Sequence, residues 1–176
     1  MDIIMIGTFI NGKTIVCIDA SNIYHSQKRL GWRIDFQKLL AYFKRETELH
    51  RCYFYTAHDP TSDKQRRFLD FLDLVGYTVR TKKVKFIRDQ SRDEGGFHKG
   101  NLDVELTIDA VHTLLDYRSF VLLSGDSDFA PLLKFLKAHG RRCVVMSTKG
   151  SVALDLVQQA KFVDLKKLQD EIELAG

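Results

Sequence analysis

The sequence is short of the residues that staple, break or span. Its 176 residues include only three cysteines, two prolines and one tryptophan. Cys17, Cys52 and Cys143 are an odd set with no Cys-x-x-Cys pair, which argues against a disulfide framework and against a structural zinc site. Each lies in an apolar, strand-like run, so all three are expected to be buried, reduced thiols. Two prolines and 11 glycines leave little composition for a disordered linker. No internal repeat or low-complexity tract is present. No apolar run approaches the ~18 residues that a membrane span needs. Met1 to Ile10 contains four apolar residues in a row, but it has an acid at Asp2 and no basic n-region, so it is not expected to act as a signal peptide. A cytoplasmic protein without a membrane segment is the expectation.

What is present is enough for one domain with a sizeable core. A net charge of +4 favours an anionic partner weakly; the placement of charge says more than the sum. The expected organisation is an N-terminal extension over 1–13, one domain over 14–168 and a helical tail over 169–176. The apolar start (Ile3, Ile4, Ile6) is expected to be exposed and available to an interface, with a homodimer as one outcome.

Strand and helix signals alternate along the chain. Thr14 to Ile18, Arg51 to Ala57, Phe120 to Ser124 and Cys143 to Met146 are apolar or β-branched runs suited to buried strands. Tyr77 to Arg80, Val84 to Ile87 and Phe162 to Leu165 predict shorter ones. Between them, Phe36, Leu39, Leu40 and Phe43 follow a capping Asp35 at helical spacing. Phe68, Phe71, Leu72 and Val75 follow a Ser62/Gln65 capping box. Val104, Ile108, Val111 and Leu115 form a third stripe, expected to be buried, behind an Asn101 cap. Leu132, Leu133, Phe135 and Leu136 follow Pro131. The alternation predicts an α/β fold: a three-layer α/β/α sandwich with a mostly parallel central sheet.

Acids stand at the ends of these elements. Asp19 and Asp126 each follow a buried run, Asp128 comes two residues after Asp126, and Asp103 opens a helix. In a parallel sheet with those strands adjacent, the carboxylates share one rim, a setting that hard cations such as Mg²⁺ or Mn²⁺ prefer. Each acid also has a plainer reading. Asp128 could cap the Pro131 helix, and Asp103 could complement a helix dipole. Asp19 and Asp126 are harder to explain as structural, because a buried strand end is a poor place for an unpaired charge. Glu105, Asp109 and His112 share a helix face and read mainly as a polar surface, and His98 reads as part of a basic loop.

Three blocks carry a family resemblance: Asp19-Ala-Ser-Asn22-Ile, Lys99-Gly-Asn-Leu-Asp103-Val-Glu-Leu-Thr-Ile-Asp109 and Ser124-Gly-Asp126-Ser-Asp128-Phe129. In this order and spacing they resemble the signature blocks of the NYN domain, LabA-like branch, within the PIN-like nuclease superfamily. Asn101-Leu102 departs from the usual Gly-Val before the middle acid. The resemblance implies a PIN-like fold and metal-dependent cleavage of RNA. Asp19, Asp103, Asp126 and Asp128 would be the catalytic metal ligands, with Asn22, Ser124 and Asp109 in support. A bound Mg²⁺ or Mn²⁺ would activate a water and neutralise phosphoryl charge.

A polyanion approaching such a rim needs cations nearby. Lys82, Lys83, Lys85, Arg88 and Lys99 fall in a basic stretch next to Asp103 and are the candidate RNA contacts, for single-stranded or structured RNA; a solvated face is the plainer reading. Tyr24, Trp32 and Phe97 are candidate stacking groups, and packing explains each equally well. A ribonuclease is thus the leading expectation. An RNA-binding or regulatory protein with a metal pocket and little or no turnover is the alternative. A phosphatase is disfavoured, because Asp19 is followed by Ala20 and Ser21 rather than by a second acid one residue on.

Overall fold

The structure, a computed structural model, describes residues 5–88, 96–99 and 101–175, with the backbone alone at 85–88 and 96–99. Strand β1 (Lys13–Asp19) pairs in parallel with β2 (Glu48–His58) on one side and β6 (Ser119–Leu123) on the other. Strands β3 (Thr78–Lys83), β7 (Arg142–Ser147) and β8 (Lys161–Asp164) complete a parallel sheet ordered β3-β2-β1-β6-β7-β8. A separate antiparallel pair joins β4 (Lys85–Arg88) to β5 (Gly96–Lys99). The connection reverses direction between β1 and β6, and in open α/β sheets ligands bind at such a point, beyond the carboxyl ends of the strands.

Both sheet faces are covered, so the central strands carry continuous apolar runs rather than alternation. On one face Val16, Ile18, Val121 and Leu123 pack against α1 (Ala20–Leu30), α2 (Phe36–Glu46), α3 (Asp63–Val75) and α7 (Gln169–Ile172). On the other face Ile15, Cys17, Phe120 and Leu122 pack against α4 (Asp103–His112), α5 (Ala130–Ala138) and α6 (Leu154–Gln159). The expected three-layer α/β/α sandwich is therefore observed. All three cysteines are buried and free, and no helix among the described residues is long and apolar enough to cross a membrane.

The helix signals hold where a cap fixes them. Asp35 accepts hydrogen bonds from the Gln37 and Lys38 amides at 2.9 and 3.0 Å. Ser62 accepts one from Gln65 N at 3.3 Å. The Gln65 side chain does not return to Ser62, however; it bridges the Asp59 amide and the Ala57 carbonyl, so only half of the expected capping box forms.

Three expectations about burial are corrected. The stripe Val104, Ile108, Val111 and Leu115 is exposed; α4 instead buries Leu106 and Ala110, with Leu102 before them. Helix α3 buries Leu72, while Phe68 and Phe71 remain more than a third exposed because they line a cavity. The apolar start is not a free surface either. Ile6 is fully buried and Ile10 nearly so, because both pack into the core with α2 and α7 residues. Ile3 and Ile4 lie outside the described residues.

Candidate active site

Strands β1 and β6 end side by side, with Ile18 opposite Leu123. The next residue on β1 is Asp19, which is also the N-cap of α1. Its Oδ1 accepts from Ser21 N (3.1 Å), Ser21 Oγ (2.7 Å) and Asn22 N (3.4 Å). Its Oδ2 accepts from Ser124 Oγ at 3.0 Å. The Ser124 hydroxyl oxygen accepts in turn from Asp126 N at 3.2 Å. Ser124 is fully buried, so this one hydroxyl ties the first acid to the loop that carries the next two.

That loop is seated tightly. A side chain on Gly125 would lie 2.3 Å from the Ser151 carbonyl oxygen and 2.9 Å from Ser147 Oγ. Only glycine fits such an approach. Past Gly125, Asp126 Oδ1 accepts from Asp128 N at 3.0 Å and caps the short 3₁₀ turn Ser127–Phe129 that leads into α5. Asp128 caps nothing; the residue at the start of α5 is Phe129, without a side-chain cap. The expected division of labour is therefore reversed, because the 3₁₀ turn moves the helix start forward. Asp126 does the capping, and Asp128 is exposed and uncommitted.

Asp103 comes to the same place from the other side, as the first residue of α4. The expected Asn101 cap is not formed; Leu102 occupies that position, and the Asn101 amide donates to the Asp103 carboxylate instead. One carboxylate oxygen from each of Asp103, Asp126 and Asp128 lies within 4.8 Å of the others. Asp19 stands outside this trio, held by its own hydrogen bonds, yet its charge still reaches Asp103.

The electrostatics follow from that crowding. A helix N-terminus favours an anion by about 0.3–1 kcal/mol. Asp103 nevertheless has its pKa pushed up from 3.8 to about 6, first by burial and then by the charges of Asp19, Asp126, Asp128 and Glu105. Desolvation and like charge outweigh the dipole, and a site that resists its own ionisation in this way is short of positive charge. Three oxygen-only ligands suit a hard divalent ion. Two oxygens on one octahedral Mg²⁺ lie about 3–4 Å apart, given bonds of about 2 Å, so the trio needs little movement to share one.

The remaining candidates are dispersed. Asp109 accepts from Tyr55 OH and from Arg80 Nε, both at 3.0 Å, which fastens α4 to β2 and β3 away from the trio. Glu105 holds Lys82 at 2.6 Å, so Lys82 faces α4 as an ion-pair partner. Lys83 is exposed. The side chains of Lys85, Arg88, Phe97, His98 and Lys99 lie outside the described residues. Trp32 is 8 % exposed and belongs to the core. Tyr24 is exposed on the wall of the cavity beside Asp19, with the Lys28 ammonium 4.5 Å from its ring centre. Sequence reasoning missed Ser147 and Thr148 at the end of β7. Their buried hydroxyls, like Asn22 Oδ1, have no hydrogen-bond partner among the described residues. Only the strand order, with β7 beside β6, could have pointed to them.

The NYN domain family matches residues 13–166. The chain belongs to the NYN domain family. NYN domains fall in the PIN-like nuclease superfamily and are generally divalent-metal-dependent nucleases. The chain is 37% identical over 161 residues to the Low amplitude and bright protein LabA of Synechococcus elongatus, covering 90% of this chain and 86% of that protein. Its fold is similar to the crystal structure of a protein of unknown function from Vibrio parahaemolyticus, with a TM-score of 0.76 and 26% identity over 92% of this chain and 96% of the other. The acidic trio thus sits at the sheet rim of an NYN domain.

Proposed function

We propose that this NYN domain is a Mg²⁺- or Mn²⁺-dependent ribonuclease that hydrolyses phosphodiester bonds of RNA. The observation that carries the reading is the convergence of Asp103, Asp126 and Asp128 within 4.8 Å at the switch point of the sheet. These three would hold the ion, and Asp19, oriented by Ser124, would be the fourth acid facing it. A divalent ion there would supply Lewis-acid charge for the phosphoryl oxygens and an acidified water for attack.

The protein's own groups set the geometry. Asp126 is fixed by the Asp128 amide and by the Ser124 contact at its own amide. Asp103 is fixed by the start of α4 and by Asn101, and Asn22 Oδ1 remains available to orient a polar group beside Asp19. At neutral pH the acids repel a polyanion, so phosphate is attracted by cations outside the trio. Lys83 is one, and Arg33 and Lys64 stand on the cavity that opens beside Asp19 and Asp103. The buried, reduced thiols suit a cytoplasmic location.

The test is cleavage of a labelled RNA by metal-stripped protein after addition of Mg²⁺ or Mn²⁺. The expected result is cleavage that disappears in Asp126→Asn with folding unchanged, since the amide oxygen of asparagine still accepts from Asp128 N. Cleavage retained in that variant would overturn the assignment. RNA bound with a steep salt dependence, yet left intact with both metals, would replace it with the RNA-binding reading.

A further inference from the structure

The cavity that begins at Asp19 and Asp103 does not stop at the acids. It has a volume of about 800 Å³, within the range of sites that enclose a small ligand. Part of its wall is aromatic. Phe36, Phe54 and Phe68 meet edge to face there, with ring centres 5.3 Å (Phe36–Phe54), 5.6 Å (Phe36–Phe68) and 6.0 Å (Phe54–Phe68) apart. Phe54 is buried, but Phe68 keeps 36 % of its surface exposed and opens onto the cavity. A helix face of this composition is normally covered, and here an aromatic ring is left facing solvent inside a concavity.

The polar groups on the walls narrow the choice of occupant. Gln27 uses its side-chain oxygen to accept from Ile34 N at 2.7 Å, which leaves its NH₂ group as a donor. Thr56, near the end of β2, donates its hydroxyl to the Ala57 carbonyl at 3.0 Å, which leaves the hydroxyl oxygen as an acceptor. Arg33 and Lys64 line the same cavity, and neither forms a salt bridge among the described residues. Flat apolar surface, a few hydrogen-bonding edges and unpaired cations, continuous with the acid site, suit a nucleobase carried on a phosphodiester strand. We infer that the aromatic wall of this cavity receives one unstacked base of a single-stranded RNA, next to the phosphate presented to the acids. The identity of the ligand rests on the ribonuclease reading. A base already unpaired enters at the least cost, whereas a duplex must first be opened, so the site selects single-stranded over paired RNA.

The inference is tested by binding, without turnover. Adenosine 5′-monophosphate and ribose 5-phosphate are titrated in EDTA against the full chain and followed by NMR. The two share their phosphate and sugar, so repulsion by the acids cancels and only the base differs. Base stacking of ordinary strength gives the nucleotide about tenfold tighter binding. Phe68→Leu, which keeps apolar bulk but removes the ring face, is expected to erase that preference, and Phe68→Tyr to keep it. Thermal melts confirm that each variant is folded. Equal binding of the two ligands by the unaltered protein, or a preference that survives Phe68→Leu, overturns the inference. A preference for the nucleotide with no RNA cleavage in Mg²⁺ or Mn²⁺ would leave the base pocket standing and remove the nuclease. Cleavage with no preference would do the reverse.

Discussion

Asp103 is where the electrostatic cost of the site is concentrated. Its carboxyl has a pKa of about 6 in the folded protein against 3.8 for the ordinary group. Between those values the folded state holds a proton that the unfolded state has released, so its contribution to stability falls as pH rises from about 4 to about 6 and is fully unfavourable above that. Replacing the charge with a neutral group of the same shape relieves the cost. Asp103→Asn is therefore expected to stabilise the metal-free protein at pH 7 by about 1 kcal/mol, a value reduced for partial solvent screening. The gain should vanish below pH 4. Urea denaturation at the two pH values checks both parts, and a gain that does not depend on pH would show that charge is not its source. The same residue teaches what sequence can and cannot say. That Asp103 stands in the first turn of a helix was legible. That its neighbours would override the helix dipole was not, because the override depends on distances across three separate elements. The exchange of roles between Asp126 and Asp128 has a similar origin: one extra 3₁₀ turn, invisible in composition, decides which carboxylate caps.

At the scale of elements, helix α4 shows how periodicity can select the wrong face. Val104, Ile108, Val111 and Leu115 have helical spacing, and so do Leu102, Leu106 and Ala110. The second series is less bulky, yet it faces Tyr117, Phe120 and Phe129 on the sheet side. Hydrophobicity alone cannot rank two interleaved stripes; the position of the neighbouring strand does. Ile108 is 59 % exposed and Leu106 is 1 % exposed. Ile108→Ser is accordingly expected to change stability by less than ~0.5 kcal/mol, while Leu106→Ala should cost about 2–5 kcal/mol. Chemical denaturation of the two variants side by side checks the ordering. The strands were easier to read, because a run buried on both faces has no competing register. β1, β6 and β7 were recognisable from their apolar runs, and with them the acids that end the first two.

At the scale of the whole molecule, an ion that binds the folded trio and not the unfolded chain must stabilise the fold. Free Mg²⁺ or Mn²⁺ at 100 times its dissociation constant contributes about 2.7 kcal/mol. Thermal melts should rise with the concentration of either ion in the unaltered protein and stay level in Asp126→Asn. A melting temperature indifferent to both ions would speak against a metal site. What the sequence could not supply at this scale was strand order. Alternation implied a parallel sheet, and the blocks singled out four acids, but only the pairing of β1 with β6 sets Asp19 beside the loop that carries Asp126 and Asp128.

That pairing also governs when the acidic trio can form. Thr14 lies opposite Ser119, so the two strands that frame the rim are joined across most of the chain. Pairings at such sequence separation close late, after the local ones have formed. A nascent chain that has emerged only through α4 already carries Asp19 and Asp103 but has neither Asp126 nor Asp128 to set beside them. The acidic trio therefore cannot form until β6 and the loop after it have been made and docked beside β1.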